Sequence, residues 1–136
     1  MSKMKDQDIF KRSSMPKRLG MTWQQAYATV AKTLESKDYR MLRDGNTLLW
    51  VHIAKPGVAM VWLFDADRPE NLPEHMGNYM ESLKKAGYQY VAMITDQRQE
   101  LIAAQEAGYP VEYQRKQENG KWMYSGAIDL SRGGEQ

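Results

Sequence analysis

The sequence predicts a mixed α/β fold: a mostly antiparallel, twisted sheet with helices on both faces, in the order α-β-β-β-α-β-α-β-β. Three observations lead to this fold class. Turn signals of the hairpin type, at Asp44 and Gly45 and at Asn119 and Gly120, each separate two strand-like runs. Residues 58–64 are apolar without interruption, which is typical of a central strand covered on both faces. An amphipathic stretch separates that run from the next one, so the connection is a crossover and at least one strand pair is parallel.

The first half of the domain is predicted to form one helix and three antiparallel strands. Thr22 is a good N-cap, and Gln25 follows at the spacing of a capping box. Apolar residues then recur at helical spacing to about residue 36. The predicted strands are residues 39–43, 47–53 and 58–64.

The second half alternates helices and strands before a final hairpin. Pro73 and Glu74 begin a predicted helix, and Gly87 suits its C-terminal cap. The elements expected after it are a strand at 88–95, a short helix from the N-cap Asp96 to Gly108, and hairpin strands at 110–116 and 122–128.

Length and composition restrict the class of protein. The chain has 136 residues, of which 42% are hydrophobic and none is Cys, and its formal net charge is +2. One domain fits this length, and the lack of Cys excludes a disulfide framework, a thiolate zinc site and a cysteine nucleophile. The longest apolar run is too short to span a bilayer, and residues 1–20 lack the apolar stretch of a secretory signal. We therefore expect a cytoplasmic protein.

The charge is unevenly distributed along the chain. Residues 1–20 contain six basic and two acidic residues, a net charge of +4, whereas residues 21–136 contain 13 basic and 15 acidic residues, a net charge of −2. This pattern predicts an extended basic arm at 1–20, a single domain at 21–130 and a flexible tail at 131–136. The candidate partner-contact residues of the arm are Ile9, Phe10, Lys11, Arg12, Lys17 and Arg18. Such an arm contacts a protein subunit, an anionic surface or a nucleic acid, and the alternative is a tail that only aids solubility.

The order of elements resembles that of the GCN5-related N-acetyltransferase (GNAT) family over roughly residues 22–130. In that family an apolar strand leads into a helix, a further strand, a short helix that ends in a Gly-aromatic pair, and a terminal hairpin. The counterparts here are VAMVWLFDAD, LPEHMGNYMESLKKAG, YQYVAMITD, RQELIAAQEAGY and the hairpin around Asn119 and Gly120. Gly108 and Tyr109 form the only short signature present.

The resemblance implies the fold, but the family's functional residues are missing. Active members hold the pyrophosphate of acyl-CoA against N–H groups of a Gly-rich turn after the central strand, and they carry a general-acid Tyr four residues before the Gly-aromatic pair. Here the turn is residues 65–73, with no Gly, two Pro that lack an N–H and three carboxylates, and Ala104 stands in the Tyr position. No catalytic residue, no cofactor-binding residue and no cofactor are therefore predicted.

A narrower resemblance is to the small internal virion proteins of short-tailed phages, which look like acetyltransferase domains without the catalytic apparatus. The likeness lies in length, in a short turn before the central strand and in a degraded short helix. The leading hypothesis is a non-catalytic domain that acts through protein–protein contacts in a phage virion or assembly intermediate, in the host cytoplasm or incorporated in the virion. An alternative is an active acyl-CoA-dependent N-acetyltransferase with a divergent cofactor turn. A weaker alternative is a nucleic-acid-binding accessory protein that uses residues 1–20.

The start of the second long helix contains candidate metal ligands. His75 lies close in sequence to Asp65, Asp67 and Glu70, which together offer ligands for a cation. Their spacing matches no known metal-binding loop. No metal site is therefore predicted.

The aromatic residues of the strands raise a different question. With the flanking Arg115, Lys116 and Lys121, they could stack nucleic-acid bases. The net charge of −2 on residues 21–136 argues against this interpretation and favours a mixed core or a protein interface.

Overall fold

The computed structural model describes residues 3–133, which form five helices, one 3-10 turn and six strands. The helices are α1 (Asp6–Arg12), α2 (Met15–Arg18), α3 (Trp23–Thr33), α4 (Leu72–Lys85) and α5 (Arg98–Glu106), and the 3-10 turn is Pro69–Asn71. The strands are β1 (Tyr39–Asp44), β2 (Thr47–Lys55), β3 (Val58–Asp65), β4 (Tyr90–Thr95), β5 (Val111–Glu118) and β6 (Lys121–Asp129). From α3 to β6 the order is the predicted one.

The six strands form one sheet in the order β1-β2-β3-β4-β6-β5. All neighbouring pairs are antiparallel except β3 and β4, which are parallel as the crossover predicted. Asn119 has a φ of 51° and Gly120 a φ of 77°, so the final hairpin uses the left-handed turn that this dipeptide favours. The mixed, mostly antiparallel α/β fold is confirmed.

Helices cover both faces of the sheet. On one face, α4 and α5 bury the larger core, which includes Leu63, Tyr79 and Met93. On the other face, α1 and α3 cover a smaller core around Leu48 and Phe64. The capping box predicted for α3 is present, because the side chains of Thr22 and Gln25 each accept the other's backbone N–H.

The extended conformation predicted for residues 1–20 is wrong over the described residues. Ile9 and Phe10 are 0% and 1% exposed, and the ring of Phe10 lies 4.4 Å from that of Phe64 and 5.3 Å from that of Tyr27. Burying this apolar pair stabilises α1, which is too short to form alone. Acidic residues in the first turn of α1 and basic residues in its last turn also match the helix dipole.

The six candidate partner-contact residues therefore fall into two groups. Ile9 and Phe10 pack within the chain, and Arg18 forms ion pairs with the carboxylates that follow β4. The three that lie exposed on α1 and α2 are Lys11, Arg12 and Lys17. A partner contact at these three stays a prediction.

The predicted tail is also partly ordered. Gly133 is buried against Tyr109, and its carbonyl accepts a hydrogen bond of 3.1 Å from Lys84 Nζ. Arg132 pairs with Asp129 at 2.7 Å. Residues 131–133 therefore contact the domain, the flexibility of the tail stays a prediction, and residues 134–136 lie outside the described residues.

Among the described residues, no helix is long and apolar enough to cross a membrane.

Candidate functional site

The central parallel strands diverge toward their carboxyl ends. β3 and β4 pair only over three residues of each strand, ending at Met60 and Ala92, while β3 continues to Asp65 and β4 to Thr95. The carboxyl ends of parallel strands are where α/β sheets commonly bind ligands. We therefore take the space between residues 61–65 and 93–95, here called the cleft, as the candidate functional site.

The turn that follows β3 forms one wall of the cleft, and its first four backbone donors are already in use. Four donate to the chain's own oxygens: Asp65 N–H to Ser13 Oγ (3.2 Å), Ala66 N–H to the Asn46 carbonyl (3.1 Å), Asp67 N–H to Asp65 Oδ1 (2.8 Å) and Arg68 N–H to Asp67 Oδ1 (2.8 Å). The next residue, Pro69, has no N–H. Two of the four acceptors are carboxylates of the turn itself, so the turn carries negative charge where a phosphate cradle carries free donors.

His75, on the first turns of α4, holds this turn in place. Its Nδ1 lies 2.6 Å from Asp44 Oδ2 and its Nε2 lies 2.6 Å from Asp67 Oδ2. The imidazole side chain is only 9% exposed. Since both ring nitrogens face carboxylate oxygens, the arrangement requires two donors, which only the imidazolium form supplies. We call Asp44, His75 and Asp67 the histidine clamp.

The clamp changes the protonation of its members. Burial alone would lower the pKa of His75, but the hydrogen bonds and charges of Asp44 and Asp67 outweigh it and raise that pKa above 6.5. The hydrogen bond from His75 and the N–H of Arg68 lower the pKa of Asp67 below 3.8. Burial raises the pKa of Asp65, against the opposing effects of the Asp67 N–H and the His75 charge.

Neighbouring residues fix the clamp from the β1–β2 turn and from α4. Asn78 Nδ2 donates to both oxygens of Asp44, at 3.1 and 3.3 Å. Gly45 has a φ of 59°, and a Cβ built on it would lie 2.9 Å from His75 Cε1. The turn therefore passes so close to the imidazole that only Gly fits without movement.

Arg18, from α2, occupies the other side of the cleft at the end of β4. Its Nε donates to Asp96 Oδ1 at 2.6 Å, its Nη2 to Thr95 Oγ1 at 2.8 Å, and its Nη1 to Glu100 Oε2 at 3.3 Å. The Thr95 hydroxyl donates to Glu100 Oε1 at 2.6 Å, and Lys121 Nζ lies 3.0 Å from Asp96 Oδ2. We call these five residues the arginine network.

The pKa values of the two carboxylates of the arginine network shift in opposite directions. Burial raises the pKa of Glu100, and the charge of Arg18 and the hydrogen bond from Thr95 only partly oppose it. For Asp96 burial also acts upward, but Lys121 and Arg18 together lower its pKa below 3.8. A carboxylate with a raised pKa is a candidate proton acceptor, yet both oxygens of Glu100 are bonded within the network.

Two shallow cavities flank the cleft. The first, about 240 Å³, lies beside α2, and Arg18, Lys121 and Asp96 border it among apolar side chains such as Trp62 and Ile94. The second, about 230 Å³, lies between the 3-10 turn and α5. Its charged lining residues are Glu70 and Glu106, with no Lys or Arg.

The structure brings together most of the residues that the sequence singled out near the β3 end. Asp65, Asp67 and His75 lie side by side, while Glu70 faces the second cavity. Within the described residues, no group of three or more His, Asp and Glu side chains has the geometry to hold a metal ion. Ala104 is fully buried on α5, so its position offers no acid.

Sequence reasoning missed Asp44 and the arginine network. Asp44 was assigned only to a turn, and nothing local to it indicates a partner 31 residues away. Arg18 and Asp96 are 78 residues apart. The one available signal was the spacing of Asp96 and Glu100, which places two carboxylates at the start of a helix.

Comparison with known proteins identifies the fold. No protein-family model matches the chain, and no curated protein sequence matches it. A chimera of the spermidine N-acetyltransferase SpeG from Vibrio cholerae and hSSAT is similar, with a TM-score of 0.65 and 10% identity over 92% of this chain and 87% of that one. An acetyltransferase from Bacillus subtilis in complex with CoA has a TM-score of 0.56 and 11% identity, over 94% and 95% of the two chains.

A third similar structure is the CoA-dependent acyl-homoserine lactone synthase BjaI with MTA, at a TM-score of 0.53 and 15% identity. The match covers 71% of this chain and 60% of the BjaI chain, so this protein spans less than two thirds of that synthase. At these identities the similarity shows the fold alone. The fold is that of GNAT acetyltransferases, as the order of elements predicted.

Proposed function

We propose that this protein is a non-catalytic domain of acetyltransferase-like fold that acts through protein–protein contacts. The observation that carries the proposal is the turn after β3. Its N–H groups at Asp65, Ala66, Asp67 and Arg68 already donate within the chain, and Pro69 has none. A pyrophosphate needs such donors free and convergent.

The charge of the site disfavours the same ligand. The second cavity, next to the 3-10 turn, is bordered by Glu70 and Glu106 without a compensating Lys or Arg. Asp65 and Asp67 lie in the turn itself. A CoA pyrophosphate would therefore meet carboxylates where it requires cations or dipoles. The residues present do not fit acyl-CoA, and no catalytic step is derived through it.

The acid–base groups of an acyl transfer are also committed elsewhere. Ala104 offers no proton. Glu100 is the buried carboxylate of the cleft, but Thr95 and Arg18 occupy both its oxygens. These bonds support a structural role for the cleft, since a general base needs an oxygen within reach of the substrate proton.

A protein partner is supported by the part of the sheet that helices leave uncovered. Tyr90 and Ile94, both on β4, are 45% and 47% exposed on the face opposite the larger core. Large apolar side chains exposed together are typical of interaction surfaces. The resemblance to short-tailed phage virion proteins favours a particle or assembly intermediate as the setting, in the host cytoplasm or in the virion.

Calorimetric titration with acetyl-CoA tests the proposal. We expect no heat of binding and no thermal shift at millimolar ligand, because the N–H groups of residues 65–68 already donate within the chain. Light scattering tests the partner role. It measures the mass of the chain alone and of the chain mixed with the components of a phage particle or assembly intermediate. Saturable acetyl-CoA binding, or a chain that stays monomeric beside every component of that assembly, would contradict the proposal.

One observation favours a second function, that of an acyl-CoA-dependent transferase. β3 and β4 diverge after three paired residues, and the similar acetyltransferase from Bacillus subtilis was crystallised with CoA. This alternative requires the histidine clamp to open so that the turn frees its donors. It predicts that His75→Gln increases acetyl-CoA affinity, whereas the non-catalytic function predicts no binding by either form.

A further inference from the structure

The final hairpin carries a positively charged, aromatic surface that the cleft does not use. Strand alternation separates its residues by face. On the α5 side, the odd positions of β5 from 111 to 117 are Val, Tyr, Arg and Gln, and the even positions of β6 from 122 to 128 are Trp, Tyr, Gly and Ile. The carboxylates of β5, Glu112 and Glu118, stand at even positions and face the other way. This face of the hairpin therefore contains no acidic residue.

Two arginines lie on this face, each against an aromatic ring. Arg115 Cζ is 4.6 Å from the ring centroid of Trp122. Arg98, the first residue of α5, has its Cζ 6.0 Å from the Tyr113 ring, and its Nε donates to the Tyr113 hydroxyl at 3.0 Å. The Tyr113 ring meets that of Tyr124 edge-on, with centroids 5.8 Å apart. We call these five residues the hairpin patch.

The guanidinium groups of the patch are available to a ligand. Within residues 3–133, Arg98 and Arg115 take part in no ion pair, whereas Arg18, Arg43 and Arg132 each do. Both side chains are exposed. A guanidinium that lies over a ring keeps its N–H edge free, and that edge matches a phosphate in a bidentate manner.

The rings of the patch are partly accessible. Trp122 is 43% exposed, whereas Tyr113 and Tyr124 are half-buried. Arg98, Tyr113, Arg115 and Tyr124 line an open depression of about 420 Å³. Exposed rings beside phosphate-binding groups are the combination that holds unpaired bases, because every base has a face that stacks on an aromatic ring. An acidic peptide would use the arginines but would gain nothing specific from the rings.

The net charge of −2 on residues 21–136 disfavours a nucleic-acid ligand only if the basic N-terminal residues form a separate arm. In the structure α1 and α2 pack onto the sheet, so the basic residues of these helices belong to the same folded unit, and the net charge of the chain is +2. From the two arginines without an ion pair, the exposed Trp122 ring and this charge, we infer that the hairpin patch binds single-stranded nucleic acid, with bases on Trp122 and on the accessible parts of the tyrosines and phosphates on Arg98 and Arg115.

Fluorescence anisotropy with a labelled oligothymidylate of about 12 nucleotides tests the inference. We expect binding that weakens as salt rises. Arg115→Gln should lower the affinity about tenfold and reduce the salt slope by about 0.7. Trp122→Leu should lower the affinity about tenfold while leaving the slope unchanged, because a ring contributes stacking and no charge.

Lys116→Gln is the matched control. Lys116 neighbours Arg115 on β5 and is exposed, but it faces the opposite side of the sheet. Its substitution removes the same charge from the same strand, and we expect less than about a twofold change in affinity. An equal loss in Lys116→Gln and Arg115→Gln would overturn the proposal, since it would mean attraction by net charge alone.

Three further outcomes would overturn it. One is no binding at low salt. Another is a duplex of the same length that competes as well as the single strand, because paired bases cannot stack on the patch. The third is a polyglutamate peptide that displaces the oligonucleotide as well as unlabelled oligothymidylate does, which would assign the patch to an acidic protein.

Discussion

At the carboxyl end of β3 the buried cation is His75, whereas at the carboxyl end of β4 it is Arg18. Both lie among carboxylates: His75 between Asp44 and Asp67, and Arg18 between Asp96 and Glu100. The two clusters close neighbouring sides of the same cleft. They differ in that an imidazolium can lose its charge near neutral pH, while a guanidinium keeps its charge at every pH at which proteins are folded. The turn after β3 is therefore held by a cation whose charge depends on pH, and the start of α5 by a cation whose charge does not.

The two cations also stabilise different parts of the fold. The clamp joins the β1–β2 turn, the turn after β3 and α4, all within residues 44–78. The arginine network joins α2 to the segment after β4, across 78 residues. Loss of the network should therefore weaken the docking of the N-terminal helices, whereas loss of the clamp should loosen one turn.

Removal of Arg18 should have the largest effect. The Arg18 side chain is 13% exposed and that of Glu100 is 6% exposed, so Arg18→Ala leaves the buried Glu100 carboxylate without a cation and leaves Asp96 with Lys121 alone. We expect the free energy of unfolding in urea to fall by about 3 kcal/mol. Arg12→Ala, an exposed arginine of the same N-terminal segment, is the control and should change it by less than about 0.5 kcal/mol. Equal losses of unfolding free energy in the two variants would mean that the buried ion pairs of Arg18 contribute no more than an exposed arginine does.

Substitution of His75 should have the next largest effect. His75→Gln removes the positive charge and keeps a donor for only one of Asp44 and Asp67. At pH 6 we expect a loss of about 2 kcal/mol in the free energy of unfolding. His52→Gln is the matched control, because His52 stacks on Tyr39 at 4.5 Å and lies outside the clamp. A loss in His75→Gln no greater than that in His52→Gln would mean that the clamp contributes nothing.

Gly45 should show a smaller effect. Ala at this position must adopt a φ of 59° and place its Cβ 2.9 Å from His75 Cε1. At Gly120 the φ is 77° but nothing lies within 4 Å of a Cβ, so Gly120→Ala measures the backbone cost alone. We expect about 1 kcal/mol for Gly120→Ala and about 1 kcal/mol more for Gly45→Ala, from urea unfolding. Equal values would show that the imidazole moves aside freely.

Sequence reasoning succeeded where the signals were local. Hairpins marked by Asp44 and Gly45, or by Asn119 and Gly120, depend on backbone conformations that adjacent residues decide. The parallel pair followed from the crossover. These features carry most of the fold, and the composition of the turn after β3, with two prolines and three carboxylates, was also visible in the sequence.

The remaining features depend on distant residues. Ile9 and Phe10 are too few to show a periodic pattern, and they are buried only because Phe64 and α3 provide a surface for them. Nothing near Arg18 or Asp96 predicts their contact, because it arises from the docking of a helix on a sheet. The mistaken arm and the missed arginine network therefore have the same cause.

The smallest expected effect is the pH dependence of the His75 contribution, since it is only part of the total loss in His75→Gln. The folded-state pKa of His75 lies above 6.5, so its stabilising effect is complete below about pH 6.5 and is lost as pH rises through that raised value. The pKa of Asp67 lies below 3.8, so its effect is present above pH 3.8 and is lost as pH falls through the lowered value.

The difference in unfolding free energy between wild type and His75→Gln should therefore be largest between about pH 4 and 6.5 and should decline at higher pH. Urea unfolding at intervals up to pH 9 measures it. The same series with His52→Gln is the control for the loss of an imidazole that lies outside the clamp. A difference for His75→Gln that increases with pH would mean that the neutral imidazole is the bound form. The positive charge of His75 would then not stabilise the turn, and the contrast with the permanent charge of Arg18 would not hold.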